Sequence, residues 1–299
     1  MPIDFRYYIS SLAAIFLALG IGIVIGGALM GNDEIVKSQE MLILSLEQEF
    51  QQLRSEKKYL QDGLKARDLE IEVLRQFNRE ILPLLVKDLL TDRKIAVIKT
   101  NPTIDSGLTA EMIKILHQAG AEVQRIINFT EWPDLTLESK TVAARLGFKA
   151  DELWLEHLFS RFMEEVASGE RDEILSSLQA NNLIQVNGNI KEPIDTLILF
   201  GGSHDEKMIR VDEFDLTLVK TAQNIGLTVV GVEPLSASFS YIRKYKNTGL
   251  ITIDNVDTLP GQVALVFALV SGKKGEFGVK ETAQALLPKL PPKLPTKTR

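Results

Sequence analysis

The segment GGSHD, residues 201–205, places a hydroxyl, an imidazole and a carboxylate side by side. These are the groups of a hydrolytic triad, but a triad is made by residues that meet in space, and sequence neighbours do not reach the relay geometry. We therefore predict that Ser203, His204 and Asp205 form no triad. The sequence also has no Walker loop, H-E-x-x-H motif or nucleophile elbow, so we expect no catalytic residues and no enzymatic activity.

Ligand binding is a second kind of chemistry that polar residues at predicted strand ends suggest. Ligands of open α/β sheets bind outside the carboxyl ends of the strands, where these side chains could converge on a hard cation or a polar ligand. The alternative is structural: Asp257 or Thr258 would cap the helix entered through Pro260, and Asp254 would end its strand in a turn. We assign no metal ligands and no cofactor. The candidate strand-end site consists of Gly201, Gly202, Ser203, His204, Asp205, Glu233, Asp254 and Asp257.

Short β-branched runs alternate with helical stretches after Thr91, and these elements would position the strand-end residues. This alternation predicts βαβ units and a mainly parallel sheet with helices on both faces, an α/β fold resembling a flavodoxin or Rossmann sheet. The predicted strands lie within residues 94–100, 121–129, 195–202, 227–233 and 249–254. The predicted helical regions are residues 108–119, 141–181, 212–225 and 261–270.

An almost wholly apolar stretch covers residues 8–30, and no charged residue occurs between Arg6 and Asp33. As a helix, its 23 residues would measure roughly 34 Å, enough to cross a hydrocarbon core of about 30 Å. The alternative is a secretory signal peptide, whose apolar region runs only about 7 to 15 residues. We predict a single-pass anchor in the cell membrane, with a cytoplasmic N-terminus because Arg6 precedes the span, and an extracytoplasmic C-terminal domain.

Small residues recur along one face of this predicted membrane helix. Ala18, Gly22 and Gly26 are four apart, and such a row allows two helices to approach closely in lipid. The alternative is that glycine is simply common in membrane helices. The spacing of Gly20, Gly22 and Gly26 is one residue too long for a dinucleotide-binding fingerprint.

The segment from Asn32 to Leu82 contains no proline and consists mostly of strong helix formers. A 3.5-residue apolar repeat runs along it, which is a coiled-coil signal and predicts a parallel homodimer. The alternative is one amphipathic helix packed on the following domain. The repeat ends at Pro83. The predicted apolar seam consists of Ile43, Leu46, Phe50, Leu53, Leu60, Leu64, Ile71, Leu74 and Ile81.

Composition limits which sites, partners and domains the chain can have. Cysteine is absent, which excludes disulfides and thiolate metal sites, and a net charge of -6 argues against a nucleic-acid partner. The end of the chain is rich in proline and lysine and cannot bury a core. We divide the chain into an anchor (1–31), a coiled-coil stalk (32–83), an extracytoplasmic α/β domain (84–284) and a disordered tail (285–299).

Two stretches carry a family resemblance that extends in order over essentially the whole chain. IDFRYYISSLAAIFLALGIGIVIGG near the start and ITIDNVDTLPGQVALVFALVSGKKGEFG near the end resemble the bacterial copper transporter family named after the mycobacterial copper transport protein B. The resemblance implies an anchored envelope protein with a role in copper transport or copper homeostasis. Two other functions remain open: a dimeric scaffold that binds cell-wall or division partners, and an extracytoplasmic sensor of a small ligand.

Overall fold

The structure is a computed structural model that describes residues 5–30, 33–130, 132–133 and 135–289. It divides into two compact units, Met1–Leu74 and Arg75–Arg299. Of the predicted disordered tail, residues 290–299 lie outside the described residues, as do residues 1–4 and 31 of the predicted anchor and residue 32 of the predicted stalk. The predicted mixed α/β class with an N-terminal apolar helix is confirmed.

The first unit contains helix α1 (Phe5–Met30) and most of helix α2 (Asp33–Val86). Within α1, the 24 residues Phe5–Ala28 have a mean hydropathy of 2.4 and none of them is buried. In the described part of the chain this is the one helix long and apolar enough to cross a membrane. Length and composition therefore make α1 a candidate membrane span.

Helix α2 has 54 residues and continues three residues past Pro83, where the apolar repeat ends. A proline inside a helix removes one backbone hydrogen bond and opposes continuation. Here Leu82 and Val86, on either side of Pro83, are both buried in the core of the second unit. This apolar burial explains how the last turn stays helical.

The second unit is built on a seven-stranded sheet in the order β3-β2-β1-β4-β5-β6-β7. Every neighbouring pair is parallel except β2 and β3, so the predicted mainly parallel sheet is confirmed. The strands are β1 (Lys94–Lys99), β2 (Glu122–Phe129), β3 (Ile184–Gly188), β4 (Thr196–Phe200), β5 (Thr228–Val232), β6 (Ile251–Ile253) and β7 (Glu276–Phe277).

Two hydrophobic cores cover the two faces of the sheet. Successive strand residues point to opposite faces, so Ala96 and Ile98 enter one core while Ile95 and Val97 enter the other. The first core contains side chains of α4 (Leu135–Arg145), α5 (Trp154–Ser168), α6 (Glu173–Ala180), α7 (Leu216–Asn224) and α8 (Ile242–Lys246). The second contains those of α3 (Ser106–Gln118), α9 (Leu259–Ser271) and the end of α2.

Some elements differ from the sequence prediction. The predicted helical region 141–181 begins earlier and consists of α4, α5 and α6, which are separated at Gly147 and Gly169. Both glycines have positive φ, a conformation that ends a helix. The strands β3 and β7 and the short helix α8 were not predicted. Both strands lie at the edges of the sheet, where they lack the continuous apolar run of a central strand.

Candidate functional site

The D-N-V-D-T segment builds the turn from β6 into α9. Thr258 is the N-cap of α9: its Oγ1 accepts hydrogen bonds from the Gly261 amide at 3.2 Å and from Asn255 Nδ2 at 3.0 Å. A Cβ at Gly261 would overlap the Asn255 carbonyl, so the turn requires glycine there. Asp257 accepts a hydrogen bond from the Leu235 amide at 2.7 Å and fastens the loop after β5. The polar groups of this segment thus serve the turn and its neighbouring loop.

Two buried carboxylates near this turn are bonded to the segment that follows β7. Glu233 is fully buried, and it accepts hydrogen bonds from Lys280 Nζ at 2.6 Å and from the Tyr241 amide at 2.8 Å. Asp254 accepts hydrogen bonds from the amides of Val279 and Lys280 at 2.8 and 2.9 Å. Buried charge is tolerated when it is paired and hydrogen-bonded in this way. The structure therefore brings Glu233 and Asp254 together through Lys280.

The GGSHD loop follows β4 and is held by backbone pairing. Ser203 exchanges two backbone hydrogen bonds with Phe239, at 2.9 and 3.0 Å. The Ser203 hydroxyl donates to the Asp205 carbonyl at 2.7 Å, while the Asp205 carboxylate caps a short 3-10 turn through the Lys207 amide. His204 is exposed, and its Nδ1 lies 3.5 Å from Ser238 Oγ. No Ser203–His204–Asp205 relay is present in this geometry.

The strand-end residues therefore divide into two groups. Glu233 and Asp254 are buried and bonded to the chain itself, whereas His204 and Asp205 are exposed. Gly202 lies beside Glu233, since a Cβ added at Gly202 would come within 3.3 Å of Glu233 Cβ. Among the described residues, no three His, Cys, Asp or Glu side chains are grouped so that they could hold a metal ion.

A third carboxylate, Asp215, lies inside the first core and was not singled out from the sequence. It ends a π-helical turn, Val211–Asp215, and accepts a hydrogen bond from the Tyr245 hydroxyl. Asp215 Oδ1 has no hydrogen-bond partner. Burial raises the pKa of Asp215 from 3.8 to about 7, an effect that the hydroxyls of Thr100 and Tyr245 only partly offset. Such π-helical turns often occur at functional sites.

Further buried polar groups lie at the ends of β1 and β4, where the strand order reverses. Lys99 is buried, and its Nζ donates to the Ile104 carbonyl at 2.9 Å. Burial lowers the pKa of Lys99. Asn101 Nδ2 donates to the Gly202 carbonyl at 3.1 Å and so joins the two strand-end loops. These groups brace the loops at this edge of the sheet.

The predicted association faces are open in a single chain. An added Cβ would meet nothing within 4 Å at Gly22 or Gly26, and Ala18 is exposed. The predicted seam residues of the first unit are 45% to 62% exposed. They are Ile43, Leu46, Phe50, Leu53, Leu60, Leu64, Ile71 and Leu74. Ile81, the last predicted seam residue, belongs to the second unit and is half-buried.

Comparison with known proteins tests the resemblance that the two end segments suggested. The family model for the copper transport outer membrane protein MctB matches residues 2–288. The chain belongs to the MctB family. The matched region extends from α1 through the D-N-V-D-T turn to the segment after β7, so it includes both of the stretches that carry the resemblance.

Mycobacterial MctB proteins are similar to this chain over almost their whole length. The copper transporter MctB of Mycobacterium tuberculosis (strain ATCC 25618 / H37Rv) is 22% identical over 318 residues, covering 95% of this chain and 98% of the relative. The copper transporter MctB of Mycobacterium leprae (strain TN) is 23% identical over 328 residues, with the same coverage. The similarity to MctB therefore includes the apolar N-terminal helix and the α/β unit together.

Sequence reasoning missed the buried charged residues Arg125 and Asp215 of this MctB family member, although both left a signal. Arg125 interrupts the apolar pattern of β2, and its guanidinium is buried and donates to the Ile190 carbonyl at 3.0 Å. Burial lowers the pKa of Arg125. Asp215 stands in the apolar run FDLTLV. A charged residue at a position where the strand or helix pattern calls for an apolar one was the sign in both cases, but the partner of that residue could not be identified from the sequence.

Proposed function

We propose that this protein is a membrane-anchored envelope protein that acts, without catalysing a reaction, in copper transport or copper homeostasis. Its membership of the MctB family, over residues 2–288, is the observation that carries the copper assignment. The described residues contain no convergent donor set for a metal, so this assignment draws on the family and not on a ligand geometry. Copper is here the substrate of the process and not a resident cofactor.

The apolar helix α1 supports the anchored part of this proposal. Its 24 unburied residues, Phe5–Ala28, are mostly apolar and long enough as a helix to cross a hydrocarbon core of about 30 Å. Arg6 precedes the span, whereas Asp33 and Glu34 follow it. Basic residues favour the cytoplasmic side, so the N-terminus is cytoplasmic and the α/β domain is extracytoplasmic in this proposal.

The exposed seam of α2 supports a parallel homodimer. Leu53 and Leu60 are 60% and 58% exposed, which is unfavourable for leucine in water unless another surface covers it. A second copy offers the same apolar repeat at the same spacing, so a two-stranded coiled coil would bury both rows. In lipid, the row of Ala18, Gly22 and Gly26 would allow the two α1 helices to pack closely.

The strand order supports a Rossmann-like topology for the α/β unit. The sequence of β3-β2-β1-β4-β5-β6 matches the order of a doubly wound, Rossmann-like sheet, with β3 reversed. In such sheets ligands bind where the order reverses, here between β1 and β4. Sensing of a small ligand at Gly201–Asp205 is thus an alternative function, but Asn101 and Ser203 already bond within these loops.

A second candidate function is a dimeric scaffold that binds cell-wall or division proteins, and the open seam of α2 favours it. A deletion strain distinguishes the two functions: the copper proposal predicts altered growth with added copper at normal cell shape. An altered shape with unchanged copper tolerance would instead support the scaffold. Complementation with Leu53→Asp/Leu60→Asp tests whether the seam is needed, and Gln48→Asp/Ser55→Asp, off the seam on the same helix, is the matched control.

A further inference from the structure

A cavity of about 680 Å³ lies in the second unit, between the end of α2, helix α3 and the start of α9. This volume is within the range of about 300 to 1,000 Å³ that small-molecule sites occupy. It lies apart from the strand-end carboxylates Glu233 and Asp254, neither of which lines it. Its apolar lining comes from Leu82, Pro83, Ile115, Leu259 and Pro260.

Basic side chains approach this cavity from two helices. Arg75 and Arg79 are four residues apart on α2 and so share one helix face, and Lys114 faces them from α3. Arg75 and Lys114 form no ion pair with any described residue. Two carboxylates, Glu111 and Asp257, also line the cavity, and Asp257 accepts a hydrogen bond from the Leu235 amide. Three basic side chains against two acidic ones leave an excess of one positive charge.

Two amide side chains at the cavity lack hydrogen-bond partners. Gln262 is only 5% exposed, yet its side-chain amide makes no hydrogen bond in the part of the chain that the structure describes. Gln118 also lines the cavity, and its Oε1 is buried without a partner. A buried amide oxygen without a partner, as at Gln118, is unfavourable. A ligand that offers hydroxyl groups would remove this penalty.

We propose that this cavity binds a small hydroxylated anion of the sugar phosphate class. A guanidinium matches the geometry of phosphate, so Arg75 and Arg79 would bind the anionic group with Lys114 as a further positive charge. The amides of Gln118 and Gln262 would bind hydroxyl groups. Leu82 and Ile115 would contact the apolar face of the sugar ring. The basic side chains would make the cavity selective for anions, and the two amides would favour anions that carry hydroxyl groups.

Titration calorimetry of the full-length protein in detergent tests the proposal with three probes: glucose 6-phosphate, inorganic phosphate and glucose. We expect saturable binding of glucose 6-phosphate, weaker binding of phosphate and none of glucose. Arg75→Gln/Lys114→Gln should weaken glucose 6-phosphate binding about tenfold or more, because charge-assisted hydrogen bonds are lost. Gln262→Met, which keeps the volume but removes the amide, should weaken glucose 6-phosphate and leave phosphate unchanged.

The matched control is Arg145→Gln/Lys149→Gln, which removes the same two charge types from exposed positions outside the cavity. It should bind like the wild type, with all variants melting at the same temperature. No saturable binding of glucose 6-phosphate at millimolar concentration would overturn the proposal. So would equal affinity in the Arg75→Gln/Lys114→Gln variant, or phosphate binding as tight as that of glucose 6-phosphate.

Discussion

Tyr245 donates a hydrogen bond to the buried carboxylate of Asp215, and no cation is paired with that carboxylate among the described residues. The two residues are thirty positions apart in sequence. The π-helical turn at Val211–Asp215 and the helix α8 bring them together within the first core. The carboxyl group of Asp215 therefore lies in an apolar environment, and its protonation affects the free energy of unfolding.

Asp215 should make the unfolding free energy depend on pH. The raised pKa of about 7 means that the folded state keeps the proton while the unfolded state, near 3.8, loses it. Stability is thus highest below about pH 4 as far as this group is concerned, and it falls as the pH rises to about 7. At about 1.4 kcal/mol per pKa unit, the loss is on the order of 4 kcal/mol.

Denaturant unfolding of wild type and Asp215→Asn at pH 5 and pH 8 measures this effect. Asp215→Asn carries no ionisable group at position 215, so its unfolding free energy should exceed that of the wild type at pH 8. The difference between the two should be smaller at pH 5. Asp172→Asn, at an exposed aspartate without a side-chain cap bond, is the control and should change neither value. A variant that is equally destabilised at both pH values would contradict a neutral buried acid.

The buried pair of Glu233 and Lys280 should be sensitive to removal of one partner. Lys280→Met leaves the Glu233 carboxylate buried without its cation, which we expect to cost about 3 kcal/mol. Glu233→Gln/Lys280→Met removes both charges and should recover part of that loss. For comparison, Arg161→Met breaks the exposed pair with Glu173 and should cost under about 1 kcal/mol. Equal losses at the two pairs would refute a structural role for Lys280.

The anchor proposal predicts the side of the membrane on which the chain ends. A reporter that is active only outside the cytoplasm, fused after Arg299, should be active, because a single span follows Arg6. A cytoplasmic reporter at the same position should be inactive. The opposite pattern would exclude an extracytoplasmic domain and the envelope role with it.

The central strands could be predicted from sequence because they are buried on both faces. The apolar runs at residues 94–100 and 195–202 gave β1 and β4 to within three residues at each end. The strand β3 has only five residues and pairs antiparallel at an edge, and β7 has only two residues, so neither has the continuous apolar run of the central strands.

The candidate site was less predictable, because its contacts join distant segments. The strand-end residues Glu233 and Asp254 were predicted to lie at one edge of the sheet, but their shared partner Lys280 lies in a segment without a recognisable pattern. The N-cap of α9 was narrowed to Asp257 or Thr258, and Thr258 fills it. Side-chain pairing across loops depends on the tertiary fold, which composition and periodicity do not specify.

Sedimentation of the fragment 32–82 tests self-association through α2. We expect a helical dimer, because a helix without a partner is marginal in water and most seam positions between Ile43 and Ile81 are apolar. Leu53→Asp/Leu60→Asp should give an unfolded monomer, while Gln48→Asp/Ser55→Asp should remain dimeric. A wild-type fragment that sediments as a folded monomer would contradict the dimeric stalk.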